Sequence, residues 1–373
     1  MAKHLSSRSR EFCQCQLVLG RFTKLFVLSS AQLPIYSFFD HSHKEVPLMK
    51  PSFPTLDGVE KARKVIHPYL PVTPLVKSEL LSQAFDADIW LKYETVTPIS
   101  SFKIRGAINA VSYAKEQAIT GVVTSSTGNH GQGVAYAARV SGLTANIFLP
   151  KPANPIKAKM IEAFGGLITE DGSDIDEAKH LAHSFAEKHH YYFIDDGEDI
   201  LVMEGAGTIA YEISSELDNI DYLLVPLGGG NLSAGCASTL KSLQPQAKII
   251  TVQAKGSPAV TESFHARSPI ERPIDSIADG LVTRVPPKLA LDVLLKFLDD
   301  AWLATDEDLL AAVHTLVASA HVLVEPAGAA GLVGAWNNKH LLRGKRVVLI
   351  LTGSNISSQL LNRALMTPPL IFN

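Results

Sequence analysis

The chain has 373 residues, 46% of them hydrophobic and 19% charged, a globular balance with room for two domains or one large one and a sizeable core. Its formal net charge of -3 leaves no basic face to drive binding to nucleic acid or anionic lipid. The three cysteines, Cys13, Cys15 and Cys236, imply neither a disulfide framework nor a zinc site and fit a reducing, cytoplasmic setting.

The first fifty residues read as a leader. Residues 17–39 are apolar but broken by Arg21, Lys24, Gln32 and Pro34, whereas a membrane span needs about 20 uninterrupted apolar residues. Lys3, Arg8 and Arg10 precede them in the manner of a targeting peptide, yet no small-residue cleavage site follows. A disordered leader, or an upstream extension with Met49 as the working start, is the simpler reading.

From residue 51 the pattern becomes orderly. Val59, Ala62, Val65 and Ile66 share one helical face, and Pro68 ends that helix. Residues 89–93 predict a strand, and Ala107, Ala110, Val111 and Ala114 a helix after Lys103. Strands at 122–124, 145–149, 167–169 and 191–194 then alternate with helices at 131–140, 155–164 and 175–189. A second series has strands at 222–226, 249–252, 302–304 and 347–351, with helices at 232–243, 306–320 and 327–336. Thr305 with Asp308 resembles a capping box, Asp replacing the usual Glu or Gln. Residues 270–273 and 284–287 read as loops. After Asn355 about one helix remains, so no appended regulatory domain is expected. Such alternation predicts parallel sheets covered by helices on both faces, with ligands at the carboxyl ends of strands. The expected division is a leader (1–50), a large domain (51–120 and 199–373) and a small domain (121–198).

Three turns carry the chemistry. Residues 226–231 read Pro-Leu-Gly-Gly-Gly-Asn. Three glycines let the backbone approach a phosphate and aim its N–H groups inward, and the following helix adds its dipole. The same turn also serves as a plain tight connection, and it is neither a dinucleotide fingerprint nor a Walker loop. Residues 125–133, Ser-Ser-Thr-Gly-Asn-His-Gly-Gln-Gly, suit a carboxylate site or ordinary helix capping. Residues 351–355, Leu-Thr-Gly-Ser-Asn, offer a ligand one neutral hydroxyl, or form another turn. Lys103, between Phe102 and Ile104, is either a solvated helix-start residue or, when partly desolvated, an amine that attacks a carbonyl.

In this order the segments resemble fold-type II pyridoxal-phosphate (PLP) enzymes of the threonine dehydratase and serine racemase branch. The resemblance runs from about residue 54 to residue 365. It is carried by SSFKIRGA (100–107), TGNHGQG (127–133), VPLGGGN (225–231), ADG (278–280), EPAGA (325–329) and LTGSN (351–355). Ile104-Arg105-Gly106 and Gly128-Asn129-His130 point to the dehydratase side. The resemblance implies an α/β, tryptophan synthase β-like fold: two parallel-sheet domains with PLP in the cleft between them, in a homodimer. It implies that Lys103 holds PLP as a Schiff base, with Phe102 packed nearby and Asn129 bonded to the ring hydroxyl. Gly228, Gly229, Gly230, Asn231 and Leu232 would bind the phosphate through backbone N–H groups, and Thr352 would face the pyridine nitrogen. Ser126, Thr127, Asn129 and His130 would hold the substrate carboxylate, and Gly280 and Glu325 would line the ring.

The chain departs from the family at three places. Asn231 stands where many relatives have a fourth glycine, which leaves backbone donation intact. Thr127 stands where serine racemases carry a serine base; racemisation needs two bases on opposite faces, elimination only one. Gln253, Ser257 and Ala259 replace the acidic ligands of a divalent cation, so no divalent metal site is expected, and a monovalent site made from carbonyls stays open. The expected activity is a threonine/serine dehydratase (ammonia-lyase) acting on small hydroxy-amino acids. The alternatives are an amino-acid racemase, a 3-hydroxyaspartate dehydratase, and a PLP-binding protein without catalysis.

Overall fold

The computed structural model describes residues 53–153 and 155–371. The leader, its apolar segment and the alternative start at Met49 lie outside them.

The first helix, α1 (Leu56–Ile66), starts where Thr55 Oγ1 accepts the Gly58 N–H at 3.0 Å, and stops before Pro68. After it come β1 (Leu75–Lys77), α2 (Glu79–Phe85), β2 (Asp88–Tyr93) and α3 (Lys103–Glu116). The next stretch alternates: β3 (Gly121–Ser125), α4 (Asn129–Ser141), β4 (Thr144–Leu149), α5 (Pro155–Ala163), β5 (Leu167–Glu170), α6 (Ile175–His189) and β6 (Tyr192–Phe193). Helix α7 (Ile200–Glu216) leads to β7 (Tyr222–Pro226), α8 (Asn231–Leu243), β8 (Lys248–Ala254), α9 (Ala259–Ala266), α10 (Lys288–Phe297) and β9 (Asp300–Ala304). The described chain closes with α11 (Asp306–Ala320), α12 (Pro326–Asn337), α13 (Lys339–Leu342), β10 (Arg346–Leu351) and α14 (Ser358–Met366).

Two sheets result. One has six strands in the order β1-β2-β10-β7-β8-β9, parallel except for the edge pair β1 and β2. The other has four parallel strands in the order β5-β4-β3-β6. Both are buried on two faces, and side chains alternate between them. Leu223, Val225, Val348 and Ile350 pack with α7 and α8, while Leu224, Val252, Val347 and Leu349 pack with α11 and α12. In the smaller sheet Val122 and Ile147 join the α3 and α4 cluster, and Val123 and Phe148 join the α6 cluster. The chain is thus an α/β protein of two parallel-sheet layers clad in helices.

The alternation read from sequence appears in this order, with most strands a residue or two longer than the apolar runs. Thr305 caps α11 as expected, its Oγ1 donating to Asp308 Oδ2 at 2.7 Å and accepting the Asp308 N–H at 3.1 Å. Residues 270–273 and 284–287 lie outside helices and strands. Six elements ahead of the last strand carry no expectation from sequence: α7, α9, α10, α13, and the pair β1 and α2. Helix α7 is the largest of them. It is buried on nearly every side, so it shows no apolar stripe, and Gly205 and Gly207 lower its helix propensity. Helices α4 and α8 begin earlier than their apolar periodicity suggests, at Asn129 and Asn231. Both asparagines therefore sit in the first turn, where backbone N–H groups are free for a ligand.

Candidate active site

Lys103 is placed by the end of the central strand. The Phe102 N–H donates to Thr352 O at 2.9 Å, and a bridge joins Ser101 to Gly353. Thr97 Oγ1 locks the approach by accepting the Ser101 N–H and donating to Ser101 O, both at 2.8 Å. The Lys103 amine then lies 2.6 and 2.5 Å from the two oxygens of Asp196 and 5.1 Å from the centre of the Phe102 ring. Its side chain is 19% exposed, so it is neither a solvated surface lysine nor a sealed core residue.

Asp196 was not singled out from sequence. It follows β6 within 195–199, Asp-Asp-Gly-Glu-Asp, which reads as a solvated acidic loop. The usable signal was its place just past the carboxyl end of a parallel strand. In the fold it also accepts from Asn231 Nδ2 at 3.2 Å and lies 3.9 Å from His130 Nδ1. One carboxylate thereby joins Lys103, the triple-glycine turn and the 125–133 loop.

That turn admits only glycine at two points. A Cβ on Gly228 would stand 2.4 Å from Gly280 O, which packs the turn against the one-turn helix Asp279–Leu281. Gly230 has φ +104°, and a Cβ there would stand 2.9 Å from that of Ala290. Gly229 lies between them, with its α-carbon facing Asp196 O. Asn231 and Leu232 follow as the first residues of α8; the Leu232 side chain is buried in the apolar core, leaving its backbone toward the turn.

A second carboxylate closes the opposite side. Glu325 precedes α12, and its Oε1 accepts from Asn129 Nδ2 at 2.8 Å. Asn129 Oδ1 in turn accepts from Asn355 Nδ2 at 2.7 Å. A Cβ on Gly280 or Gly353 would lie 3.9 or 2.8 Å from the same Glu325 oxygen, so both glycines leave space for it. Thr352 is buried at the end of β10. Ser126 and Thr127 are half-buried on the loop from β3 to α4 and join the site through their neighbours Asn129 and His130. The structure thus gathers the sequence-derived residues at one end of the two sheets.

The electrostatics differ across the site. Burial acts to raise the Asp196 carboxyl, but Lys103, with His130 and Asn231, outweighs it and holds the group well below the usual carboxylate range. Burial lowers the His130 imidazole against the pull of Asp196, so the ring is neutral. Burial pushes the Glu325 carboxyl up to about 7, with Asp279 adding to the rise and Asn129 opposing it.

Three buried polar atoms at this end have no partner: His130 Nδ1, Asn231 Oδ1 and Ser125 Oγ. Each such atom costs about 1–3 kcal/mol unless a ligand bonds it. An amine on one side, a glycine cup at a helix N-terminus on another, and orphaned polar atoms between them suit a phosphorylated aldehyde such as PLP. Among the described residues no group of acidic, histidine or cysteine side chains is set to hold a metal ion.

The catabolic L-threonine dehydratase TdcB of Staphylococcus aureus is 35% identical over 309 residues, covering 81% of this chain and 89% of the relative. The processed threonine deaminase isoform 2 of Solanum lycopersicum superposes with a TM-score of 0.77 at 30% identity, covering 84% of this chain and 94% of that one. Maize serine racemase superposes with a TM-score of 0.79 at 28% identity, covering 83% and 96%. Residues 66–353, from the end of α1 to just past β10, match the family described as pyridoxal-phosphate dependent enzyme. With its lysine, its glycine cup and its two-sheet fold, the chain belongs to the pyridoxal-phosphate dependent enzymes.

Proposed function

We propose that the chain is a PLP-dependent threonine/serine dehydratase (ammonia-lyase), converting L-threonine or L-serine to a 2-oxo acid and ammonia. The observation that carries the reading is the Lys103–Asp196–Asn231 contact, which sets the amine one carboxylate away from the triple-glycine turn. The similarity to a threonine dehydratase over most of both chains supports the substrate class.

Bound PLP would supply the electrophilic carbon and the electron sink. The chain supplies the rest. Backbone N–H groups of Gly228, Gly229, Gly230, Asn231 and Leu232 would take the phosphate at the N-terminus of α8. Phe102 would flank the cofactor, Asn129 would meet the ring hydroxyl, and Gly280 and Glu325 would line the ring. Thr352 would face the ring nitrogen with a neutral hydroxyl, which does not stabilise a full positive charge as a carboxylate would. That tempers the sink and suits elimination, in which the leaving β-hydroxyl drains charge quickly. Ser126, Thr127, Asn129 and His130 would hold the substrate carboxylate beside the first turn of α4. Lys103 Nζ would hold the cofactor and would also accept the substrate α-proton, so one residue has the covalent and general-base roles.

In this reading 121–198, which holds the four-stranded sheet, is the small domain, and 51–120 with 199–373 is the large one. A cytoplasmic setting is supported by the unpaired, buried thiol of Cys236, and a homodimer by the family resemblance. Among the described residues no helix is long and apolar enough to cross a membrane.

The test is incubation with L-serine and L-threonine in deuterated water. Pyruvate and 2-oxobutyrate are the expected products; D-serine carrying deuterium without pyruvate would make the chain a racemase. Lys103→Ala is expected to lose the yellow absorbance of the bound cofactor and to slow turnover about a thousandfold or more. Normal turnover in that variant would reject the assignment.

A further inference from the structure

The site holds a carboxylate to which the chemistry above gives no task. Asp196 touches the lysine amine at 2.5 Å, and its Oδ1 is 3.9 Å from His130 Nδ1 on the substrate-carboxylate loop. Its side chain is 33% exposed, so it faces open space in the site rather than packed core. Among the described residues its ion-pair partner is Lys103, with the Asn231 amide donating to it at 3.2 Å and the His130 ring 3.9 Å away. Burial keeps the histidine neutral, so the positive charge that faces Asp196 is that of Lys103. Asp196 therefore stands as a one-third-exposed anion beside the amine proposed to reach the substrate α-carbon. The neighbouring Asp195 is different: Lys179 pairs with it at 2.7 Å, away from the lysine amine. Glu325 is different too, since Asn129 holds its Oε1 on the other side of the site.

A substrate's β-carbon is one bond from its α-carbon. A group that contacts both Lys103 and the carboxylate loop therefore lies within reach of whatever the β-carbon carries. A carboxylate there accepts a hydrogen bond from a hydroxyl and repels a second carboxylate; juxtaposed like charges cost several kcal/mol. We infer that Asp196 is a specificity-determining residue of this site, which admits β-substituents that donate a hydrogen bond and excludes those that carry a negative charge. On that basis serine and threonine are substrates and 3-hydroxyaspartate is not. The inference rests on the proposed dehydratase reading and narrows its substrate class.

The test compares the PLP-loaded wild-type chain with Asp196→Asn, Asp196→Ser and Asp195→Asn. The kcat/KM ratio for 3-hydroxyaspartate over L-serine is expected to rise about tenfold or more in both Asp196 variants. In Asp195→Asn it should stay within about twofold of wild type, because the Lys179 pair already screens that charge. A readout independent of turnover uses L-aspartate and L-alanine, which lack a β leaving group. Titration followed by the cofactor's absorbance should show L-aspartate tightening about tenfold relative to L-alanine when Asp196 is neutralised. Unchanged ratios in both Asp196 variants, or an equal rise in Asp195→Asn, would overturn the inference while leaving the dehydratase reading in place. No 2-oxo acid from serine or threonine in wild type would instead bring down the dehydratase reading itself.

Discussion

Two charge clusters grow from the same turn of α3, two residues apart, and they are built on opposite principles. The first surrounds Arg105, which is fully buried and uses its whole guanidinium. It donates to Glu94 at 2.8 and 2.9 Å, to Glu212 at 2.7 and 2.9 Å, and to Thr73 and Thr208 at 3.0 Å each. Lys92, also fully buried, completes the set by donating to Glu212 and Thr73 O at 2.7 Å each. Two cations and two anions cancel, and their bonds tie β2, α3 and α7 to the segment before β1. The second cluster surrounds Lys103. It is partly open, its charges are unevenly paired, and polar atoms around it stay unbonded. A closed, saturated cluster is what folding can tolerate in a dry interior, and it has nothing left to offer a ligand. The unsaturated one is the proposed site.

That contrast breaks most visibly at Arg105. Arg105→Met leaves Glu94 and Glu212 facing Lys92 alone, and should lower the stability of the chain by about 3–5 kcal/mol in urea unfolding. A loss under about 1 kcal/mol would mean that the cluster is not the structural anchor described here.

Glu325 sharpens the comparison through pH. Its folded-state carboxyl sits at about 7, above the 4.5 of a free side chain, so the folded protein holds a proton that the unfolded chain has lost. Its contribution is complete below about 4.5 and is lost as pH rises to about 7, on the order of 3 kcal/mol in all. In the cofactor-free chain Glu325→Gln should flatten the dependence of stability on pH between these values. An unaltered profile in thermal unfolding would refute the buried-carboxyl reading.

The smallest effect belongs to Lys103, the lysine proposed to hold the cofactor. Lys103→Met, measured without cofactor, should change stability by about 1 kcal/mol or less, because Asp196 keeps access to water. A loss as large as that of Arg105→Met would erase the distinction between the two clusters.

The sequence exposed these clusters unequally. Lys103 was legible because it heads an apolar helix inside a dense motif, and the glycine turn because it stands in family order with the other segments. Arg105 was legible only as part of that motif; its partners Lys92, Glu94 and Glu212 are scattered over 120 positions, from the end of one strand to a helix with no apolar stripe. Asp196 was hidden for a related reason, since it belongs to an acidic run with the composition of a solvated loop. Local pattern reports what a residue is and which element it sits on, but not which distant side chain it will meet.

What the amino-acid order determined alone is the succession of strands and helices, the parallel sheets, and the turns rich in glycine and hydroxyl groups, because hydrophobic period and turn chemistry act over a few residues. What only the tertiary structure decided is pairing. The crossover connections bring the ends of β3, β6, β7 and β10 together, and that juxtaposition gives Lys103 the Asp196 carboxylate, gives Asn129 the Glu325 carboxylate, and seals Arg105 in a saturated cage. Charge acquires its role from the dielectric and the partners around it, and those exist only once the sheets have closed.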